Sequence, residues 1–233
     1  GISRQNVASD ETLQFAERSV ASNEFNLGRQ QGLGVGGDMD SLSWMAAVYN
    51  GHSIGEGQNA EGVDTNHTAV VNLRYNVGEI DPKVEGDIDN TGDHAFTIGA
   101  AYAYEENDVG AVDEAEVDTI NVDVMYKYQG FSLAAEYYDR TVDTGSDVDN
   151  DGFYAQAGYF LNEDWELAAR YSVVSYDDGE ELDESSEWAG GVNYYWWKHQ
   201  MKAQINYYAL TDEDQSGNEV NTDKWMLQLS SWF

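Results

Sequence analysis

Cysteine is absent from the 233 residues, and proline occurs once, at Pro82. The first absence excludes a disulfide scaffold and a thiolate metal site. Long hydrophobic runs are also missing: nothing approaches the ~18–20 apolar residues of a membrane-crossing helix. Basic residues are scarce, 11 against 44 acidic ones, for a formal charge of −33. So acidic a surface repels a polyanion, which argues against nucleic acid as a partner. The opening GISRQNVASD is polar and lacks the sections of a signal peptide. It fits either a chain whose export signal has been removed or one that starts internally. No catalytic set stands out. His52, His67, His94 and His199 are scattered without metal-ligand spacing, and no helix follows Gly32, Gly34, Gly36 and Gly37 to complete a phosphate cradle.

Aromatic residues, by contrast, are plentiful: 16 Tyr, 7 Trp and 7 Phe. Disorder calls for few aromatics, so the acidity is not that of a disordered tail. The last ten residues, KWMLQLSSWF, alternate strictly. Trp225, Leu227, Leu229, Ser231 and Phe233 share one face, and Lys224, Met226, Gln228, Ser230 and Trp232 the other. That is a β-strand with two unlike faces, ending on an aromatic residue. A soluble sandwich and the closing strand of a membrane barrel both accommodate it.

The rest of the chain favours the barrel. Residues 1–26 read as a loop with a short helix over Thr12 to Ala21. From 27 on, eleven strands are expected, over 27–36, 41–49, 67–77, 94–105, 117–128, 131–142, 152–161, 164–175, 186–197, 200–210 and 224–233. Strands of ~9–12 residues cross a bilayer when tilted. Short turns and long acidic loops mostly alternate, as in an up-and-down outer-membrane barrel with short periplasmic turns. Gly78 to Asp93 is the exception, long where a short turn is expected. By this parity the last strand runs inward and Phe233 sits at the periplasmic rim. The faces agree. Trp165, Leu167, Ala169, Tyr171 and Val173 oppose Glu166, Ala168, Arg170 and Ser172, and Tyr and Trp gather near strand ends. The fold expected is an all-β, transmembrane, antiparallel up-and-down β-barrel.

Charge follows the same pattern. Nearly all acids lie in connections, whereas Arg74, Lys127, Arg170 and Lys202 face the lumen by parity, with Arg140 and Lys224 near strand ends on the same side. Lumen acids are few: Asp123, Glu136 and Glu166. Rings of Arg and Lys suit anion passage, and the planar Arg fork suits phosphate. The plainer reading is that these charges keep a wet lumen solvated and pair locally, as Glu166 with Arg170. Two acidic stretches carry the opening spacing of a calcium loop: Asp147, Asp149 and Asp151 before Gly152, and Asp212 and Asp214 before Gly217, with Asp223 at the twelfth position. Neither is flanked by helices, and solvated hairpin loops are the alternative. Calcium is the one metal these residues suggest, and no cofactor is otherwise required.

Three stretches carry a resemblance to a known family: FAERSVASNEFNLGRQQGLGV (Phe15 to Val35), AAEYYDR (Ala134 to Arg140) and GFYAQAGYFLNEDWELAARYSVV (Gly152 to Val174), with the terminal SSWF. They resemble the C-terminal part of the phosphate-selective O/P-type outer-membrane porins. The resemblance is spread over many weak positions of residues 12–233. It implies a non-enzymatic diffusion channel for small anions such as phosphate, in the bacterial outer membrane, meeting lipid and lipopolysaccharide and assembled as a homotrimer. Members have sixteen strands, so five would precede this chain. Residues 1–26 would then be the constriction loop, with 27–233 as barrel. Arg18 and Arg29 flank that loop within reach of the pore. A twelve-stranded barrel with a strand hidden in 1–26 is the alternative. The acidity departs from the family expectation and leaves open a general or weakly cation-selective porin. A surface adhesin with acidic loops is the reading from another class.

Overall fold

A computed structural model describes residues 1–50, 64–108, 114–177 and 180–232. Among these residues eleven strands follow one another in a single antiparallel sheet whose spatial order is the chain order. They are β1 (Gly32–Met39), β2 (Leu42–Tyr49), β3 (Asp64–Val77), β4 (Ala95–Asp108), β5 (Glu114–Tyr128), β6 (Phe131–Asp143), β7 (Asp147–Phe160), β8 (Trp165–Ser175), β9 (Leu182–Tyr195), β10 (Met201–Asp214) and β11 (Glu219–Ser231). Among the described residues β1 and β11 do not pair, so the sheet is open between them. Phe233 lies outside the described residues.

The polarity of the sheet is the reverse of a soluble protein's. The outward side chains of β3 to β11 are apolar and exposed: Leu73, Ile98, Val122, Leu167, Ile205 and, at 77 % exposure, Leu227. The inward ones are polar and buried, among them Thr119, Asn121, Gln156, Asn193 and Gln204. Water would not favour this arrangement, and a bilayer around a wet lumen does. Outer aromatics stand in two bands. Phe131, Tyr159 and Trp165 lie near the turn end, and Tyr137, Phe153 and Tyr171 six positions along the same strands, about 20 Å apart at strand rise. Cross-strand ring pairs stiffen them: Trp165 with Tyr194 at 4.8 Å, Tyr171 with Trp188 at 4.7 Å and Tyr207 with Trp225 at 4.9 Å.

Apart from β1, which spans Gly32–Met39 rather than 27–36, the turn-end boundaries fall within about two residues of those expected. At Gln129 and Gly130, φ is 47° and 80°, the left-handed pair that a two-residue hairpin needs. The loop-end boundaries differ. β7 starts at Asp147 rather than Gly152, β9 at Leu182 rather than Ser186, and β10 runs to Asp214 rather than Leu210. Beyond the outer aromatic band the apolar alternation stops, yet the ladder of hydrogen bonds continues into water.

Residues 1–26 contain no strand, which removes the twelve-stranded alternative. Nor is Thr12 to Ala21 a helix. The helical turns are α1 (Arg4–Val7) and α2 (Val20–Glu24), with a 3₁₀ turn at Asp10–Thr12. Leu13 to Arg18 is irregular because the strands offer its backbone better partners than its own turn would. Ala16 N donates to Asn206 Oδ1 at 2.9 Å, and the Gln14 carbonyl accepts from Asn193 and Gln204, each at 2.9 Å. The sheet wraps this segment, from Val70 of β3, packed near Ile2 and Leu27, to Lys224 of β11, bonded to Glu17.

Candidate functional site

The lumen is built around the seating of residues 1–27. Three buried carboxylates hold the segment. Glu136 of β6 accepts from the backbone amides of Arg4 and Gln5 at 3.0 and 2.8 Å, from Tyr154 at 2.6 Å and from Tyr138 and Asn121 at 3.2 Å each. Glu166 of β8 accepts from Gln14 Nε2 at 2.5 Å, Tyr195 at 2.6 Å and Asn193 at 2.9 Å. Glu85, on the long connection between β3 and β4, accepts from Arg4 at 3.2 Å, Gln5 at 3.1 Å and the Gln14 amide at 2.9 Å. Gln14 fits because β7 offers Gly158 there: a Cβ at that position would sit 1.9 Å from Gln14 Nε2.

Charge follows from these contacts. Burial works against the Arg4 cation, but Tyr154, Glu85 and Glu136 outweigh it and hold its pKa above the ordinary value. Burial likewise works against the Glu85 anion, yet Arg4 and the bonds from Gln14, Gln156 and Gln5 keep its carboxyl below the usual range. In the turn between β9 and β10, burial and then neighbouring Lys202 push His199 down to about 4. Its Nδ1 donates to the Glu11 carbonyl at 3.0 Å, and its Nε2 has no partner among the described residues.

The seven basic residues expected at the pore are placed as follows. Arg74 forms a two-pronged pair with Asp123, at 2.8 and 2.6 Å, across β4, where Gly99 leaves room for it. Arg170 pairs with Glu187 at 2.6 Å, donates to the Glu17 carbonyl at 2.9 Å and lies 4.5 Å over the Phe15 ring. Arg140 donates to the Glu24 carbonyl at 3.1 Å and stacks on Phe25. Lys202 donates to the Leu13 carbonyl at 2.5 Å. Arg18 pairs with Asp10 at 2.7 Å and donates to the carbonyls of Gln5 and Ala8. Arg29 and Lys127 have no ion-pair or hydrogen-bond partner among the described residues. Arg29 is exposed, and buried Lys127 lines a recess of about 750 Å³ at the turn end, with Asp87, Asp89 and Asp93.

The aspartates expected to wrap calcium do not converge. Asp147, Asp149 and Asp151 lie along extended β7, Asp212 and Asp214 on β10, and Asp223 on β11. Asp147, Asp149 and Asp151 are spread over about 13 Å of strand, too far for all three to close on one ion at ~2.4 Å. Several are engaged otherwise: Asp149 by Thr141, Asp212 by Ser185, Asp214 by Ser216 and Asn218, and Asp223 by Tyr207. Among the described residues no group of three or more His, Asp or Glu could hold a metal.

Sequence reasoning missed Arg4, Gln14, Glu85 and Lys83. Their contacts reach across 70 or more residues, and only the odd length of the 78–94 connection hinted at a role. Arg4, Asn72, Arg74 and Lys83, with Met45 and Pro82, line a cavity of about 190 Å³ where the segment, that connection and β2–β3 meet.

The family model for "Phosphate-selective porin O and P" matches residues 2–230. The structure is similar to that of the outer membrane channel DcaP of Acinetobacter baumannii, with a TM-score of 0.65 and 12 % identity over 96 % of this chain and 68 % of that one. No curated protein matches significantly.

Proposed function

From the premise that the chain belongs to the family of phosphate-selective porins O and P, an outer-membrane porin by membership, we propose that it passes small anions, phosphate among them, by diffusion beside the segment that occupies its lumen. The observation that carries the anion reading is the cavity shared by Arg4, Arg74 and Lys83. Arg4 and Arg74 lend it positive charge while their forks hold Glu85, Tyr154, Pro82 and Asp123, and exposed Lys83, unpaired among the described residues, offers the free cation that a phosphate oxygen can meet in place of water. Binding there has to be weak enough for release, which suits a site whose two arginines already share their charge with Asp123, Glu85 and Glu136. In the same reading residues 1–26 form the constriction, the apolar outer face meets lipid and lipopolysaccharide, and the protein assembles as a homotrimer, as the family resemblance implies.

A specific observation favours a second reading, a weakly cation-selective porin. Most of the wall's bases are tied to acids or carbonyls, while Glu79, Asp81 and Asp93 line the turn-end recess and acids crowd the loop-end strand extensions. The experiment is the zero-current potential of the full-length protein in a planar bilayer under a KCl gradient, repeated with phosphate. Anion selectivity with current block by phosphate supports the first reading. Cation selectivity without block selects the second. A protein that inserts and conducts nothing leaves an adhesive or structural barrel.

A further inference from the structure

We propose that the 78–94 connection is an internal strut, and that Glu85 on it is the positioning residue that sets the width of the water path by fixing residues 1–16 in the lumen; this rests on the channel reading above. The other turn-end hairpins close in a few residues, whereas this connection folds inward between Val77 and Ala95. It is fastened to the wall first. Asp87 accepts from the Gly130 amide at 2.7 Å and from the Thr91 amide at 3.0 Å, and Gln129 N donates to the Thr91 carbonyl at 2.8 Å. Lys198 pairs with Asp89 at the rim. Gly86, with φ 73°, passes so close to β8 that a Cβ there would lie 2.7 Å from Glu166 Oε1.

From that anchorage the strut grips both limbs of the lumen segment. Glu85 takes Arg4 and Gln5 of the first limb and the Gln14 amide of the second. Its own amide donates to the Thr12 carbonyl at 3.0 Å, Thr12 Oγ1 donates to the Lys83 carbonyl at 2.7 Å, and Arg4 reaches the Pro82 carbonyl at 3.4 Å. A buried carboxylate with a cation on one limb and a backbone amide on the other ties them at a fixed distance. The cavity of Arg74 and Lys83 opens at this junction, so releasing the grip widens the path there. Strand pairing does not involve the strut, so the barrel itself should survive its loss.

The test is single-channel conductance and polymer exclusion of the full-length protein in planar bilayers, comparing wild type, Glu85→Gln, Glu85→Ala, and the pair Thr12→Cys and Lys83→Cys with and without Glu85→Ala. The chain has no other cysteine, so oxidation forms one defined link between strut and segment. Glu85→Ala is expected to raise conductance about twofold or more and to admit larger polymers, because the path narrows at a few contacts. Glu85→Gln, which keeps an acceptor but not the charge facing Arg4, falls between. Oxidising the triple variant returns the conductance of the cysteine pair with Glu85 intact, which has lost the same Lys83 cation, and reducing it restores the higher value. That reversal on one folded protein separates positioning from damage to the barrel. A conducting wild type with an unchanged Glu85→Ala refutes this inference alone, as does a wide variant that oxidation fails to narrow. A wild type without conductance overturns the channel reading and this inference with it.

Discussion

Glu136→Ala tests how the segment in the lumen is held. The carboxylate is 2 % exposed and accepts bonds from five donors. Not all five are stranded when it goes. Tyr138 keeps Ser3 at 2.9 Å, and Asn121 keeps the Tyr137 carbonyl at 3.3 Å. The backbone amides of Arg4 and Gln5 have no such second partner among the described residues. A buried donor left without an acceptor costs about 1–3 kcal/mol, and more where the acceptor was charged. Two such amides, partly relieved by entering water, give about 3 kcal/mol against docking of the first limb. At ~1.4 kcal/mol per factor of ten, exchange of the Arg4 and Gln5 amides should accelerate about a hundredfold. Hydrogen exchange on the protein in lipid nanodiscs, read by fragment mass spectrometry, measures this directly. Glu136→Gln, with one acceptor oxygen retained, should show a smaller acceleration. Amides of β5 to β7 serve as the internal control, since their ladder bonds do not involve the carboxylate. If Glu136→Ala folds and the Arg4 and Gln5 amides exchange within a factor of about three of wild type, the carboxylate is not what seats the segment.

Arg170→Met should leave Glu187 buried and unpaired, at a cost of about 3–5 kcal/mol. Exchange around Glu17 should rise, and Arg170→Lys should not rescue it, because an ammonium cannot serve Glu187 and the Glu17 carbonyl in the same plane. His199 is neutral when seated, with its pKa pushed down to about 4. Its contribution to seating is therefore complete above its unseated value of ~6.5, falls as pH drops from there towards 4, and is flat below. A pH series of exchange at Glu11 and Thr12 should show that slope, and His199→Gln should remove it. Leu167→Arg places a charge on the outer face of β8 and should cost about 2–4 kcal/mol of folding into bilayers, with little effect in detergent of high polarity. Calcium titrated into the protein should give no saturable heat, only the non-specific screening expected of scattered aspartates; a stoichiometric site would show that the hairpins rearrange around the ion.

The strand faces were legible because a bilayer writes its boundary into side chains. Trp165, Leu167, Ala169 and Tyr171 had to be apolar whatever lay inside, so parity alone placed Glu166 and Arg170 in the lumen. The same cause explains the errors at the loop ends. At Asp147 to Asp151 and Thr211 to Asp214 no membrane selects the outward residues, and extended pairing leaves no alternation to read. Residues 1–26 were opaque for a different reason. Their conformation is decided by partners such as Glu136, Asn193 and Gln204, more than 130 positions away. No local pattern could reveal that Leu13 to Arg18 would abandon a helix. Lys127, Arg140 and Lys202 were placed on the correct face, but parity gives a direction and not a partner.

Those partners change what the basic residues mean. A short, poorly helical segment inside a barrel exposes amides and carbonyls that neither its own turns nor bulk water can satisfy, and each needs an answer. The wall and the 78–94 connection supply both signs. Glu136 and Glu85 take amides, while Lys202, Arg170 and Arg140 take the carbonyls of Leu13, Glu17 and Glu24. Lumen charge is thus spent first on seating the segment, and the count of Arg and Lys on the inner face overstates the field an ion meets. What an ion meets should then be set by the bases with no partner among the described residues, Arg29, Lys83 and Lys127, against the acids around them. Arg29 lies beside the cavity near Leu27 and Tyr49, Lys83 beside Arg74, and Lys127 among aspartates of the turn-end recess. Charge preference is therefore expected to turn on a few unpaired side chains at the ends of the seated segment, and not on a continuous basic ladder along these strands, so that Lys83→Gln should move the zero-current potential towards cations and Arg140→Gln should not.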